Sequence, residues 1–256
     1  MPLRILAVAD IWQGSNAYAF VRAFRRMGHS VLTMPGETFV PSTWSATPLR
    51  VLRRAIEPAL VREYERALVR EASELRPHLF FVFKGRYVTA EAIDAIRDTG
   101  AVAVNFFPDV SVSAHGKYIP AALPHYDWVF TTKSFGVDDM AQSLGLRSAS
   151  VMSHGYDPEV HRPVELADDE RERYGCDLSF IGTWSPKKQR LLEYVVRALP
   201  DIRMRVWGSQ WAPARTTLGS RIEGRHILGV EYAKALVASS INVSILSEAR
   251  AGASSA

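Results

Sequence analysis

Short runs of nearly unbroken apolar residues recur along this chain, separated by stretches with helical periodicity. No other feature of the sequence restricts the fold as much. LRILAVA at 3–9, HLFFVFK at 78–84, AVAVNFF at 101–107 and DWVFTT at 127–132 all follow this pattern. A strand with one wet face alternates apolar and polar residues, whereas a strand covered on both faces does not. These runs therefore predict a parallel sheet with helices on both sides, a doubly wound α/β layer. HSVLTM at 29–34 and SASVMS at 148–153 complete six strands. The intervening helices are read at 15–27, 49–75 (interrupted at Pro58), 89–98 and 134–144.

After Ser153 the pattern breaks. HGYDPEVHRPVELADDERERYG is rich in charge, Gly and Pro and has no apolar period. Residues 154–170 are read as a linker between an N-terminal domain, 1–153, and a second α/β series, 171–256. That series runs from a strand at Asp177–Ile181 through a helix from Pro186, strands IRMRVWG and HILG and a helix from Glu231 to a strand INVSIL.

The bulk numbers mostly exclude. A net charge of +4 over 256 residues is too mild to argue for nucleic acid, though it suits a phosphorylated small molecule or an anionic surface. One cysteine, Cys176, cannot form an intrachain disulfide and fits a reducing compartment. The N-terminal apolar run is short for a signal peptide, and no stretch approaches the ~20 apolar residues of a membrane helix. A cytoplasmic protein is expected. Arg62, Arg66 and Arg70 form one basic row on a helix beside Glu63 and Glu71. Such a row is usually a solvated, ion-paired face, with peripheral membrane contact as the other reading.

The segment CDLSFIGTWSPKKQRLLEYV, 176–195, poses a sharper question. Ser185 is a good N-cap and Pro186 suits the first helical position. Yet Lys187, Lys188 and Arg190 crowd an end where the helix dipole is already positive. Either an anion sits between them, as at many helix N-termini, or the long side chains simply bend into solvent.

Elsewhere the chemistry is sparse. Neither a G-x-G-x-x-G turn nor a P-loop occurs, which removes the main support for a dinucleotide or P-loop enzyme. After the first strand, Gly14 lets backbone approach a ligand, and Ser15 or Asn16 can cap the next helix; a plain turn would look the same. NFFPDVSVSAHGKY places Asp109 and His115 after the fourth strand, on the edge where open parallel sheets bind ligands. Asp109 could serve as a general base or cap a loop. His115, His125, His154 and His161 match no zinc spacing, and no metal site is expected.

Two strings taken together carry a resemblance. YDWVFTTKSFGVDDMAQSLGLRSASVMSHGYDPEVHRP, from Tyr126, and DLSFIGTWSPKKQRLLEYV, from Asp177, resemble GT-B glycosyltransferases, in particular the CgeB-like, spore-maturation-type group. VFKG at 82–85 and NFFPD at 105–109 are similar to that group as well. The resemblance implies two Rossmann-like domains, the first for an acceptor and the second for a nucleotide-sugar donor. It implies Gly182 and Thr183 beside the donor diphosphate, Lys187, Lys188 or Arg190 neutralising it, and the segments around Gly208 and Gly229 near nucleobase and ribose. His154 would lie at the crossing between domains and join Asp109 as a candidate catalytic residue. Gly14, Asn16 and His115 would fall on the acceptor side. Such enzymes need no tightly bound metal or other cofactor, because preorganised cations and N–H groups meet the charge that grows on the leaving diphosphate.

The second series spans only 86 residues, against roughly 150 for a typical domain of this kind, so it is read as incomplete. Sugar transfer to an unknown acceptor hydroxyl is the leading expectation. A binding or scaffold protein on the same fold, and a nucleotide-sugar epimerase, are the alternatives.

Overall fold

The computed structural model describes residues 1–12, 14–40, 47–113 and 116–246, with only the helical backbone for 47–53. The described residues divide into two compact units, Met1–Gly155 and a second that begins at Tyr156.

In the first unit β1 (Arg4–Val8) leads into α1 (Asn16–Arg26), β2 (Ser30–Thr33) and α2 (Thr47–Leu75). Then β3 (Leu79–Phe83), α3 (Ala90–Arg97), β4 (Val102–Phe107), α4 (Tyr118–Ala122), β5 (Trp128–Thr131), α5 (Gly136–Leu144) and β6 (Ala149–Val151) follow. The strands form one parallel sheet in the order β2-β1-β3-β4-β5-β6. Burial on both faces explains the unbroken apolar runs. Ile5 and Ala7 of β1 pack with Val21 and Phe106 on the α1 side. Leu6 and Val8 join Tyr64, Leu68 and Ile93 on the other.

The helix α2 runs through Pro58, contrary to the expected interruption. Proline removes one N–H and crowds the carbonyl four residues earlier. Here Pro58 lies on an exposed side, where water can satisfy that carbonyl, while Val61, Tyr64, Leu68 and Ala72 anchor the following turns in the core. Arg62, Arg66 and Arg70 are exposed, with Arg66 3.7 Å from Glu63 and Arg70 4.0 Å from Glu71. None of the described helices is long and apolar enough to cross a membrane.

In the second unit α6 (Asp168–Tyr174), β7 (Cys176–Ile181), α7 (Pro186–Ala198), β8 (Met204–Trp207), α8 (Arg215–Leu218), α9 (Val230–Ala238) and β9 (Ser239–Val243) succeed one another. Among the described residues a parallel sheet is ordered β8-β7-β9. The stretch 154–170, read as a linker, contains the start of α6. That helix has no apolar period to announce it. Its charges do the work instead: Asp168, Asp169 and Glu170 in the first turn and Arg171 and Arg173 in the last all suit the dipole. Glu170 also accepts from the Ala167 amide at 3.2 Å.

HILG, 226–229, is not a strand. The chain bridges β8 once, at Ile222 to Val206, and then turns at Gly224 and Gly229, both at positive φ. Its apolar character comes from Ile227, buried against Trp207 and Tyr174, and from the exposed Leu228.

Candidate functional site

From β1 the first sheet grows to β2 on one side and returns to β3 on the other. Ligands in such sheets bind outside the carboxyl ends of the strands at this switch point. A cleft of about 430 Å³ opens there, within the first unit. Asp10, just past β1, Lys84, just past β3, and Asp109, just past β4, line it with Glu37, Tyr64 and His154.

Lys84 sits in the left-handed region at φ 62, followed by Gly85 at φ 85. A Cβ on Gly85 would stand 2.7 Å from Val82 Cγ1, so only glycine fits this turn. Asn105, fully buried in β4, donates through Nδ2 to the Lys84 carbonyl at 3.2 Å. Held in this way, Lys84 extends Nζ to within 2.8 Å of Asp109 Oδ2. Both side chains are about one-third exposed, so the pair is open to solvent and to a ligand.

Burial raises the Asp10 pKa above the ordinary carboxylate value, and Glu37 adds to this while Lys84 opposes it. Tyr64 is held far above its ordinary range, chiefly by burial, and its hydroxyl donates to the Met34 carbonyl at 2.7 Å. His154 is exposed on one side, and its ring meets Phe106 edge-on at 6.0 Å. Desolvation, then the charge of Lys133, lowers its pKa below 6.5, with Asp109 pulling the other way. A neutral imidazole at pH 7 can accept a proton.

The sequence-derived candidates in this half therefore meet. Gly14, Asn16, Asp109 and His154 line one cleft, and His115 lies outside the described residues. Asp10, Glu37, Lys84 and Tyr64 were not singled out from the sequence. Strand-end position was the available signal for Asp10 and Lys84; Glu37 and Tyr64 arrive from distant segments that only the fold brings in. The start of α1 is internally capped: Ser15 Oγ accepts from the amides of Ala17 and Tyr18 at 3.2 and 3.4 Å.

In the second unit the carboxyl ends of β7 and β8 nearly touch. Gly208 has φ 131, and a Cβ there would lie 2.1 Å from the Gly182 carbonyl oxygen. That oxygen accepts from Trp211 Nε1 at 2.8 Å, and Thr183 Oγ1 accepts from Ser209 at 3.1 Å. The three cations diverge. Lys188 is buried, with Nζ donating to the Thr183 carbonyl at 3.0 Å and lying 5.9 Å from the Phe180 ring centre. Lys187 donates to the Leu246 carbonyl at 3.3 Å, and Arg190 is exposed. Lys188 thus stitches its own strand–helix turn. Gly229 begins α9 at φ 58, ψ −131, a conformation essentially reserved for glycine. Among the described residues no cluster of three or more His, Cys, Asp or Glu is placed to hold a metal ion.

No protein-family profile matches this chain, and no curated protein matches it. Solved structures do. An alpha-glucosyltransferase, held with UDP and a 13-mer DNA containing an HMU base, aligns over 94% of this chain and 72% of its own, with 12% identity and a TM-score of 0.55. A protein from Listeria monocytogenes assigned as a UDP-N-acetylglucosamine 2-epimerase aligns over 90% and 70%, with 9% identity and a TM-score of 0.50. At such identities the likeness is one of fold. The chain is built from two Rossmann-like α/β units of the GT-B kind, the second smaller.

Proposed function

We propose that this protein is a glycosyltransferase moving a sugar from a nucleotide-sugar donor to an acceptor hydroxyl. Within that class, HGYDPEVH and FIGTWSPKK support a reading of the chain as similar to the CgeB-like group. The observation that carries the reading is the first unit's cleft, where Asp109 and a neutral His154 flank the β1/β3 switch point beside a fixed Lys84.

The donor is assigned to the second unit. Gly182, Thr183 and Gly208 present close-packed backbone at the carboxyl edge, and Arg190 stands exposed nearby. The segment beginning at Gly229 is assigned to the nucleoside. Lys187 is retained as a donor contact and Lys188 as the residue that shapes the loop. As the acceptor oxygen bonds to the anomeric carbon, the bond from that carbon to the diphosphate breaks and its electron pair stays on the diphosphate. The acceptor proton passes to His154 or Asp109.

The test is incubation of the full chain with UDP-sugars and an acceptor panel, following UDP release. Asp109→Asn is expected to cut transfer by about 10²–10⁴-fold with donor affinity unchanged. Full activity in that variant would remove Asp109 from the reaction.

A second reading, nucleotide-sugar epimerisation, draws on one feature. Asp10, whose pKa burial raises, and His154, whose pKa burial lowers, share a cleft, and a carbon-centred proton exchange draws on two such groups whose proton affinities have been moved toward each other. Deuterium uptake into the sugar in D₂O without any acceptor would select it.

A further inference from the structure

The acceptor's chemical class can be read from the walls of the first unit's cleft. Trp12, 54% exposed, forms part of its lining, and so do Tyr64 and Tyr87. A large indole face left beside polar groups is an amphipathic platform for a ring that is itself apolar on its faces and polar at its edges. The volume, about 430 Å³, lies in the ordinary range for small-molecule sites of roughly 300–1,000 Å³.

Charge narrows the class. Among the described lining residues three carboxylates, Asp10, Glu37 and Asp109, face two cations, Lys84 and Arg86. Lys84 is committed to Asp109 at 2.8 Å, and Arg86 lies over the Tyr87 ring at 5.2 Å. Nor is the start of α1 an open anion cradle, since Ser15 already occupies two of its amides. A polyphosphate backbone entering here would meet net negative charge and few free donors. Carboxylates are acceptors only, with several lone pairs each, and so match a ligand rich in hydroxyl donors.

We infer that this cleft binds a neutral, polyhydroxylated ring, a carbohydrate acceptor stacked on Trp12 with its hydroxyls on Asp10 and Asp109, and not a nucleic acid. This rests on the reading of the protein as a sugar transferase and names its acceptor class.

The experiment is saturation-transfer NMR on the full chain with maltose, cellobiose and N,N′-diacetylchitobiose, and separately with UDP and with a single-stranded 13-mer DNA. At least one saccharide is expected to bind, with an affinity that changes less than about twofold between 50 and 300 mM salt, because no ion pairs are exchanged. Trp12→Ala should weaken it about 3- to 10-fold and Asp109→Asn further, while UDP binding is unaffected by Trp12→Ala. Far-UV circular dichroism should show both variants folded. Failure of every saccharide, or DNA binding that is lost with Trp12→Ala and falls steeply with salt, would overturn the inference. UDP binding alongside that failure leaves the transferase reading standing. Saccharide binding without any UDP or UDP-sugar binding removes the transferase reading and leaves a carbohydrate-binding cleft.

Discussion

Gly208 shows how much a single residue can decide. Its φ of 131 and the 2.1 Å approach of a would-be Cβ to the Gly182 carbonyl oxygen let the backbones of two strand ends come together. Gly208→Ala must either move that loop or break the Trp211–Gly182 hydrogen bond. Destabilisation of at least ~2 kcal/mol is expected by urea unfolding, with UDP binding weakened as well. A variant as stable as the parent would show that the loops can separate freely. His154 carries a second prediction at this scale. Its folded pKa lies below the unfolded value near 6.5, so the unfolded chain binds the proton more readily. The stability tied to it is intact above 6.5 and is lost as pH falls from there toward the folded pKa. Lys133→Met removes the second cause of the shift and should raise the His154 pKa, measured from its ring-proton NMR titration. No movement would leave desolvation as the sole cause.

At the scale of elements, α2 invites a direct test. Pro58 stands inside a helix of 29 residues, on an exposed side, and the sheet-packing turns lie beyond it. Pro58→Ala restores one amide donor and relieves the crowded carbonyl, worth about 3 kcal/mol in a free helix. The unfolded chain regains freedom worth about 0.4–1 kcal/mol, so a net gain of ~2 kcal/mol in chemical denaturation is expected. A loss would mean that a proline kink is needed to seat Val61 and Tyr64. The same helix marks the limit of what the sequence discloses. The central strands β1, β3 and β4 were legible because both their faces are buried, which leaves a nearly unbroken apolar signature; β2 and β6, partly exposed at the sheet edges, were legible from their place in the alternation of strands and helices. Interruption at Pro58 was misjudged because propensity is local, whereas the anchoring of Tyr64 and Leu68 is tertiary. The helix α6 escaped notice because charge at its two ends, and no apolar stripe, supports it. HILG looked like a strand because two adjacent apolar residues, the buried Ile227 and the exposed Leu228, made it apolar. In the site, Asp109 and His154 could be proposed from strand-end logic and resemblance. The Lys84–Asp109 pair could not, since it depends on a left-handed turn, and neither could the inward use of Lys188.

At the scale of the whole molecule, burial is unevenly shared, and this has a measurable consequence. In β1 the four residues Ile5–Val8 are buried, and the next two strands of the sheet, β3 and then β4, carry Phe80, Val82 and Phe106 fully enclosed. Opening any of these strands would expose apolar surface on both faces of the sheet. In β9, by contrast, Ser240, Ile241 and Asn242 are exposed, with Ile241 at 55%. Its ties are the ladder to β7 and polar links such as Ser179 to Asn242 Oδ1 at 2.5 Å and Asn242 Nδ2 to the Leu236 carbonyl at 3.0 Å. Such links contribute about 1 kcal/mol each, whereas each fully buried large apolar side chain contributes about 1.5–3. Local opening of β9 should therefore require far less free energy than opening of β1 or β3. Hydrogen exchange on the full chain, followed by mass spectrometry, should find amides of β9 exchanging at least about two orders of magnitude faster than those of β1 and β3. Saturating UDP should slow exchange at residues 182–185 and 208–211 if the second unit takes the donor, because a ligand that binds only the closed form stabilises it. Equal protection of β9 and β1 in the free protein would mean that surface now read as exposed is covered in solution. UDP protection confined to the cleft beside Asp10 and Lys84 would move the donor to the first unit and reverse the proposed division of labour.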